Sequence, residues 1–322
     1  MQSKENETGQ PLVILTGPTA VGKTALSIAL AKAIGGEIVS ADSMQVYRHM
    51  DIGSAKITRE EMAGVPHHLI DVLEPTEAFN VVIFQKLAKE AMAGIYGRGR
   101  IPILVGGTGF YIQAVLYDID FTENDEDTAL RKELEALAQS EGAEALYDRL
   151  KAVDPASCMS IHAHNVKRII RALEFYEKTG QPISAHNEEQ RQNVSPYRFA
   201  YFVLNDNREE IYKRIDLRVE QMVAAGLVEE VQRLKDMGCT KDMVSMQGLG
   251  YKEILRYLEG ELTLEEAVYL IKRDTRHFAK RQLTWFRREK EVIWVEKSGI
   301  DQSGQDALDR MQEILHEKTI IL

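Results

Sequence analysis

Gly17-Pro18-Thr19-Ala20-Val21-Gly22-Lys23-Thr24 fits the phosphate-loop pattern G-x-x-x-x-G-K-[ST] at every fixed position. Its surroundings decide the fold. Leu12 to Thr16 is a short apolar run of strand type, and Ala25 to Ile34 is rich in helix formers with apolar residues at helical spacing. The loop therefore joins a strand to a helix. Its two glycines let the backbone turn N–H groups inward around an anion, and the helix starting near Lys23 adds the positive end of its dipole. Lys23 is placed to bridge phosphate oxygens as a point charge, and the Thr24 hydroxyl to ligate Mg2+. Which molecule carries the phosphates is left open by the loop alone.

Working outward, Glu37 to Asp42 reads as a second strand that ends in the polar cluster Asp42-Ser43-Met44-Gln45-Val46-Tyr47. His67 to Val72 is a third strand candidate, and Asn80 is a plausible N-cap for a helix running to Tyr96. Ile101 to Val105 gives a fourth strand, followed at once by Gly106-Gly107-Thr108-Gly109 and a helix to about Leu116. This alternation predicts an α/β fold: a P-loop NTPase-like, mostly parallel sheet with helices on both faces. Chemistry is expected at the carboxyl ends of the strands.

Between Asp118 and Glu144 the composition shifts to ten acidic residues against Arg131 and Lys132, and helical periodicity continues to about Lys178. Strand character resumes only at Tyr197 to Leu204. The chain is therefore divided into a catalytic core, residues 10–120 and 198–322, and an all-helical insertion, residues 121–197. Helices are expected over Arg208 to Ala225, Leu227 to Met237 and Leu264 to Glu289, with a last strand at Val292 to Val295.

The chain has 322 residues, 44% hydrophobic and 28% charged, the composition of an ordinary globular protein of about two domains. The first ten residues are polar and no apolar run approaches a membrane span, so neither a leader peptide nor a membrane anchor is expected. Cys158 and Cys239 are the only cysteines, which argues against a disulfide framework or a structural zinc site and for a reducing cytoplasm. His67, His68, His162 and His164 lack ligand-like spacing to other donors and receive no metal role.

A net charge of -10 repels nucleic acid unless a basic face forms locally. The long helix near the C-terminus supplies one, with eight Lys or Arg between Lys272 and Lys290 against Asp274 and Glu289. Leu264, Ile271, Phe278 and Trp285 recur every seven residues as its apolar side, and Arg273, Lys280 and Arg287 as a basic side joined by Arg276.

A phosphoryl-transfer enzyme needs a second acid at a strand end to hold Mg2+. The strand Ile101 to Val105 ends in glycines, although Asp71 could substitute. A different reaction fits: if the bound diphosphate is the leaving group, the loop stabilises charge on departing oxygens.

Four stretches in register now carry a resemblance: Gly17 to Thr24, Asp42 to Tyr47, Gly106-Gly107-Thr108-Gly109-Phe110-Tyr111, and Lys280-Arg281-Gln282-Leu283-Thr284-Trp285-Phe286-Arg287. Together, over about residues 12 to 295, they resemble the tRNA dimethylallyltransferases, also called tRNA isopentenyltransferases. The resemblance implies transfer of a five-carbon prenyl group from dimethylallyl diphosphate to N6 of the adenosine just 3′ of the anticodon. It implies that Gly17, Pro18, Thr19, Ala20, Val21, Gly22, Lys23 and Thr24 hold the diphosphate with Arg218, and that Asp42 is the general base. Arginine suits the first task because its fork binds two oxygens at once. A carboxylate suits the second because an exocyclic adenine amine is a poor nucleophile until its proton is accepted. A helix N-cap or a Mg2+ partner held through water for Asp42, and a helix-pairing role for Arg218 beside Arg214 or Met222, are the structural alternatives.

The resemblance also assigns tRNA contacts. The target base must leave its stack, so polar and basic contacts have to offset that cost. Ser43, Met44, Gln45 and Thr108 are set against the flipped base and its neighbours. Lys167-Arg168-Ile169-Ile170-Arg171 in the insertion and Gln247-Gly248-Leu249-Gly250-Tyr251-Lys252 form two further contact stretches, with Tyr251 able to stack on a base. Arg131 is set beside them as a contact for the tRNA backbone. A solvated helix face and a turn with a core tyrosine are the respective alternatives. After Trp294 the chain has His316 and no cysteine, so it lacks the zinc finger of eukaryotic members and is similar to the shorter bacterial form. Basic residues from Arg273 to Arg288 are then expected to help grip the anticodon stem-loop. No stable protein partner is expected. An adenylate isopentenyltransferase acting on free AMP, ADP or ATP, and a P-loop nucleotide kinase, remain the competing readings.

Overall fold

The computed structural model describes residues 9–121, 129–297 and 304–321. Residues 1–8, on which the expectation of no leader rests, and the acid-rich stretch 122–128 lie outside them. The chain starts with β1 (Gln10–Thr16), α1 (Lys23–Ile34), β2 (Gly36–Ser40), α2 (Arg59–Met62), β3 (His67–His68), α3 (Val81–Gly97), β4 (Ile101–Gly106) and α4 (Gly109–Leu116). Four helices follow: α5 (Ala129–Ser140), α6 (Ala143–Val153), α7 (Val166–Thr179) and α8 (Ile183–Gln190). The last part comprises β5 (Tyr197–Asn205), α9 (Arg208–Ala224), α10 (Leu227–Asp236), α11 (Tyr251–Leu258), α12 (Leu264–Phe286), β6 (Val292–Glu296) and α13 (Gln305–Glu317).

Two compact units result, Met1–Leu116 with Pro196–Leu322, and Tyr117–Ser195. In the first, six parallel strands lie in the order β3-β2-β4-β1-β5-β6. The parallel α/β sheet expected from the alternation is present. Successive side chains of a strand point to opposite faces, yet Leu12, Val13, Ile14 and Leu15 are all fully buried, so both faces of β1 are covered. Register then aligns the strand ends. Thr16 sits opposite Gly106, and Ser40 opposite Val105, so the segments leaving β1, β2 and β4 emerge side by side.

Three expectations change. The third strand stops at His68, because Leu69 and Asp71 adopt left-handed backbone angles (φ 63° and 54°) that turn the chain out of the sheet. Of the heptad on α12 only Ile271 lies on the buried face, which is Ala267, Ile271, Ala279, Gln282 and Phe286. A straight helix has about 3.6 residues per turn, so over its length the buried stripe drifts off a seven-residue repeat. The stretch around Tyr251 is a helix, α11, and α13 follows residues with no strong pattern.

At the edge of the sheet, Glu37 on β2 is nearly buried and receives both Arg98 (2.7 and 3.1 Å) and His68 Nε2 (2.7 Å). Arg98 above all holds this carboxyl down to about 2. The salt bridge ties α3 to the β2–β3 edge.

The second unit has its own core of Leu134, Leu146, Leu150, Ile169, Ile170 and Leu173 from α5, α6 and α7. Asp154, capping α6, accepts from the N–H and hydroxyl of Ser157 (3.0 and 2.6 Å) and from those of Ser184 (3.0 and 2.5 Å). One buried carboxylate thus joins the end of α6 to the start of α8. Arg131 on α5 forms a two-pronged salt bridge with Glu174 on α7 (3.1 and 2.6 Å), and Glu174 is only 2% exposed.

Candidate active site

Gly22 takes φ 99° immediately before α1, an angle side chains rarely adopt, and this turn aims the first N–H groups of α1 into the loop. Lys23 folds back over that loop, donating from Nζ to the carbonyl oxygens of Gly17 (3.0 Å) and Pro18 (2.8 Å). Burial, and then the neighbouring Arg218 guanidinium, lower its pKa to about 8, while the Asp42 carboxylate pulls the other way. Lys23, Arg218 and Asp42 therefore share one electrostatic neighbourhood. Two cations there, set against one carboxylate, favour an added anion.

Arg214 and Arg218 are one turn apart on α9 and do different work. Arg214 donates to the carbonyl oxygen of Ala20 in the phosphate loop (2.9 Å) and to Asp206 Oδ2 (2.7 Å), so it braces the loop from below. Arg218 has no hydrogen-bond acceptor among the described residues, and burial beside Arg214 pushes its pKa down. The helix-pairing alternative thus applies to neither arginine in the simple form. Thr24, exposed at the first turn of α1, leaves its hydroxyl without a protein partner among the described residues.

Asp42 leaves β2 beside Gly106. Its Oδ1 accepts from the N–H of Met44 (2.8 Å) and of Gln45 (3.3 Å), which fixes the carboxylate plane. No described residue donates to Oδ2. Turn capping and availability for chemistry coexist in one side chain. Gln45 is engaged in its own segment: its Nε2 donates to Ala55 O (3.3 Å) and Ser54 O (3.5 Å), and its Oε1 accepts from Ser40 (3.3 Å). Ser43 and Thr108, half-buried, keep their hydroxyls free of partners among the described residues.

A residue to which sequence reasoning gave no role joins the two loops. Gln282 of α12 accepts from the N–H of Thr19 through Oε1 (2.9 Å) and donates through Nε2 to Gly107 O (2.9 Å). A Cβ on Gly107 would collide with that amide, which is why glycine stands there. The signal for Gln282 was a lone polar residue on the helix face that packs inward. Arg214 had a weaker one, since nothing in the sequence ties it to Ala20.

The structure separates the remaining residues. Tyr251 is fully buried and donates to Glu230 Oε1 (2.8 Å), so its ring offers no face to a base and the stacking expectation is corrected. Ile169 and Ile170 are core residues of the second unit, and Gly248 and Gly250 are buried as well. Arg131, whose side chain stays partly exposed, is held by Glu174. Lys167, Arg168 and Arg171 are exposed on α7, Gln247 is exposed, and Leu249 and Lys252 are half-buried.

On α12 the cations divide into two groups. Lys272, Arg273 and Arg276 are paired with Glu220, Asp274 and Asp216. Toward the carboxyl end, His277, Lys280, Arg281, Thr284, Trp285 and Arg288 line a groove of about 400 Å³, and none of its Lys or Arg has an acidic partner among the described residues. The basic face is thus shorter than the sequence implied.

Comparison with known proteins bears on this geometry. The IPP transferase family profile matches residues 45–289, and the isopentenyl transferase profile matches residues 10–79. A tRNA dimethylallyltransferase of Lachnoclostridium phytofermentans is 66% identical over 97% of this chain and 99% of its own length. That of Carboxydothermus hydrogenoformans is 51% identical over 94% and 96%. The crystal structure of the tRNA isopentenylpyrophosphate transferase of Bacillus halodurans, 46% identical, superposes with a TM-score of 0.73 over 96% of this chain and 98% of that one. A eukaryotic dimethylallyltransferase captured acting on tRNA, 28% identical, gives 0.80 over 95% of this chain and 78% of its own. The chain belongs to the tRNA dimethylallyltransferase family.

Proposed function

We propose that this chain transfers the dimethylallyl group from dimethylallyl diphosphate to N6 of the adenosine 3′-adjacent to the anticodon in tRNA, releasing diphosphate. The observation that carries the reading is one juxtaposition. A carboxylate with a free oxygen, Asp42, shares the electrostatic neighbourhood of the Lys23 and Arg218 cations over a phosphate loop. Gly17 to Thr24 and Arg218 hold the diphosphate, and Lys23 exchanges the Gly17 and Pro18 carbonyls for phosphate oxygens. The adenine N6 forms the new N–C bond as the allylic C–O bond breaks. The proton leaves N6 for Asp42 Oδ2, and the electron pair departs on the diphosphate, where the loop N–H groups, Lys23 and Arg218 stabilise it.

The Thr24 hydroxyl, exposed and without a protein partner among the described residues, fits Mg2+, a cation that keeps several waters and takes few protein oxygens beside substrate phosphates. Thr24 would hold it, and when bound it would offset charge on the diphosphate.

Ser43, Met44 and Thr108 meet the flipped base and its neighbours in this reading, while Lys167, Arg168, Arg171, Gln247, Leu249, Lys252 and the groove on α12 meet the RNA backbone. The polypeptide acts alone in the cytoplasm, where its substrate is found. Among the described residues no helix is long and apolar enough to cross a membrane. Mass spectrometry of an anticodon stem-loop incubated with dimethylallyl diphosphate tests the proposal. The expected product carries one five-carbon unit on that adenosine; prenylation of AMP in its place would favour the adenylate enzyme.

A further inference from the structure

Glu230 on α10 is 1% exposed, and its carboxylate meets an unusual set of donors. Oε2 accepts from the N–H groups of Asp51 (3.0 Å) and Ile52 (2.8 Å), and Oε1 from the N–H of Gly53 (3.0 Å) and the hydroxyl of Tyr251 (2.8 Å). Three consecutive backbone N–H groups converging on one anion form a nest, the arrangement by which loops bind phosphate. Here the protein supplies the anion itself. A Cβ on Gly53 would lie 2.5 Å from Cζ of Tyr251, so the ring closes the nest from the side.

The clamped segment leads toward Asp42. The carbonyl oxygens of Ser54 and Ala55, the next two residues, accept from the Gln45 amide, and the Gln45 N–H donates to Asp42 Oδ1. Lys56 binds the same segment to Tyr47 O (2.6 Å), Asp51 (2.7 Å) and Asp71 (2.6 Å). None of these bonds touches residues 17–24. From this we infer that Glu230 is a positioning residue for the acceptor side of the reaction: by clamping residues 51–53 it holds the turn that aims Asp42. The inference rests on the transfer reaction proposed above.

Glu230→Gln replaces one acceptor oxygen with an NH2 group that faces backbone donors. The expected result is a kcat for stem-loop prenylation lower by about 10- to 100-fold, the range in which loss of a positioning contact falls. KM for dimethylallyl diphosphate should stay within about twofold, because the phosphate loop keeps its contacts. Hydrogen exchange at Asp51 to Gly53 should accelerate while exchange in β1 is unchanged. Tyr251→Phe, which removes a single donor and preserves the ring, should shift kcat in the same direction by a smaller factor and provides the measurement if Glu230→Gln does not fold. A folded Glu230→Gln that turns over at the wild-type rate, or that weakens donor and acceptor alike, overturns the positioning role alone. A wild-type chain that prenylates nothing overturns the functional reading and this role with it.

Discussion

The loop proposed to hold the donor, residues 17–24, and the segment proposed to face the acceptor, residues 42–56, lie at the carboxyl ends of nearby strands but are specified in different ways. The donor loop is shaped mostly from within: Gly22 provides the turn, α1 the aligned N–H groups, and Lys23 the charge. The acceptor segment is held both by its own Lys56 and, from a distance, by Glu230 and Tyr251, and in the proposed reading its carboxylate is aimed because these side chains hold its backbone. A phosphate is recognised by a local backbone shape. A purine amine needs a carboxylate placed in three dimensions, and that takes residues from several elements.

Apart from loss of the Asp42 carboxylate itself, breaking the donor loop should give the largest effect. Lys23→Ala removes the charge that follows the leaving oxygens, and kcat/KM for dimethylallyl diphosphate should fall about 100- to 1000-fold; steady-state kinetics at fixed stem-loop would check this. Gly53→Ala strikes the acceptor segment instead. The added methyl meets the buried Tyr251 ring, so thermal unfolding should show a loss of about 1–3 kcal/mol, typical of overpacking. Gln282→Leu cuts both hydrogen bonds of the bridge between Thr19 and Gly107, and about a tenfold loss of kcat/KM is expected from two bonds worth about 1 kcal/mol or less each.

The smallest effect is a pH dependence confined to the donor side. Burial lowers the Lys23 pKa to about 8, and in the proposed reading its charged form is the one that binds diphosphate. Affinity should be level at lower pH and weaken above about 8 by roughly tenfold per unit, because binding must then take up a proton. Fold stability has the opposite sign: burial penalises the charged lysine, and that penalty is relieved as pH rises from about 8 toward the ordinary value of 10.5. Isothermal titration with the diphosphate across this range would resolve the slope, and Lys23→Ala should abolish it.

This contrast also explains what could be read from the chain before its structure. The strand-loop-helix around Lys23 was legible because every part lies within contiguous sequence. The parallel sheet was legible from alternation, and Asn80 was correctly read as a cap, accepting from the N–H groups of Val82 and Ile83. His67 to Val72 misled because strand-like composition does not reveal that Leu69 and Asp71 turn left-handed. Tyr251 looked like a stacking ring because an aromatic in a glycine-rich stretch suits a base, yet the ring is buried against the distant Gly53 and bonded to Glu230. Arg131 gave no sign of its ion pair because its partner Glu174 stands 43 residues away. Glu230, Arg214 and Gln282 carried little signal for the same reason. Each acts on a backbone atom far along the chain, and backbone atoms leave no mark in a sequence.

The central claim is that Asp42 accepts the proton of an adenine amine while the loop retains the departing diphosphate. Single-turnover transfer from labelled dimethylallyl diphosphate to an anticodon stem-loop, compared between the wild type and Asp42→Asn, tests it most directly. The account predicts rapid transfer by the wild type, and in the variant retained binding of both substrates with transfer slower by about 100- to 10,000-fold. Equal rates in the two proteins would contradict it.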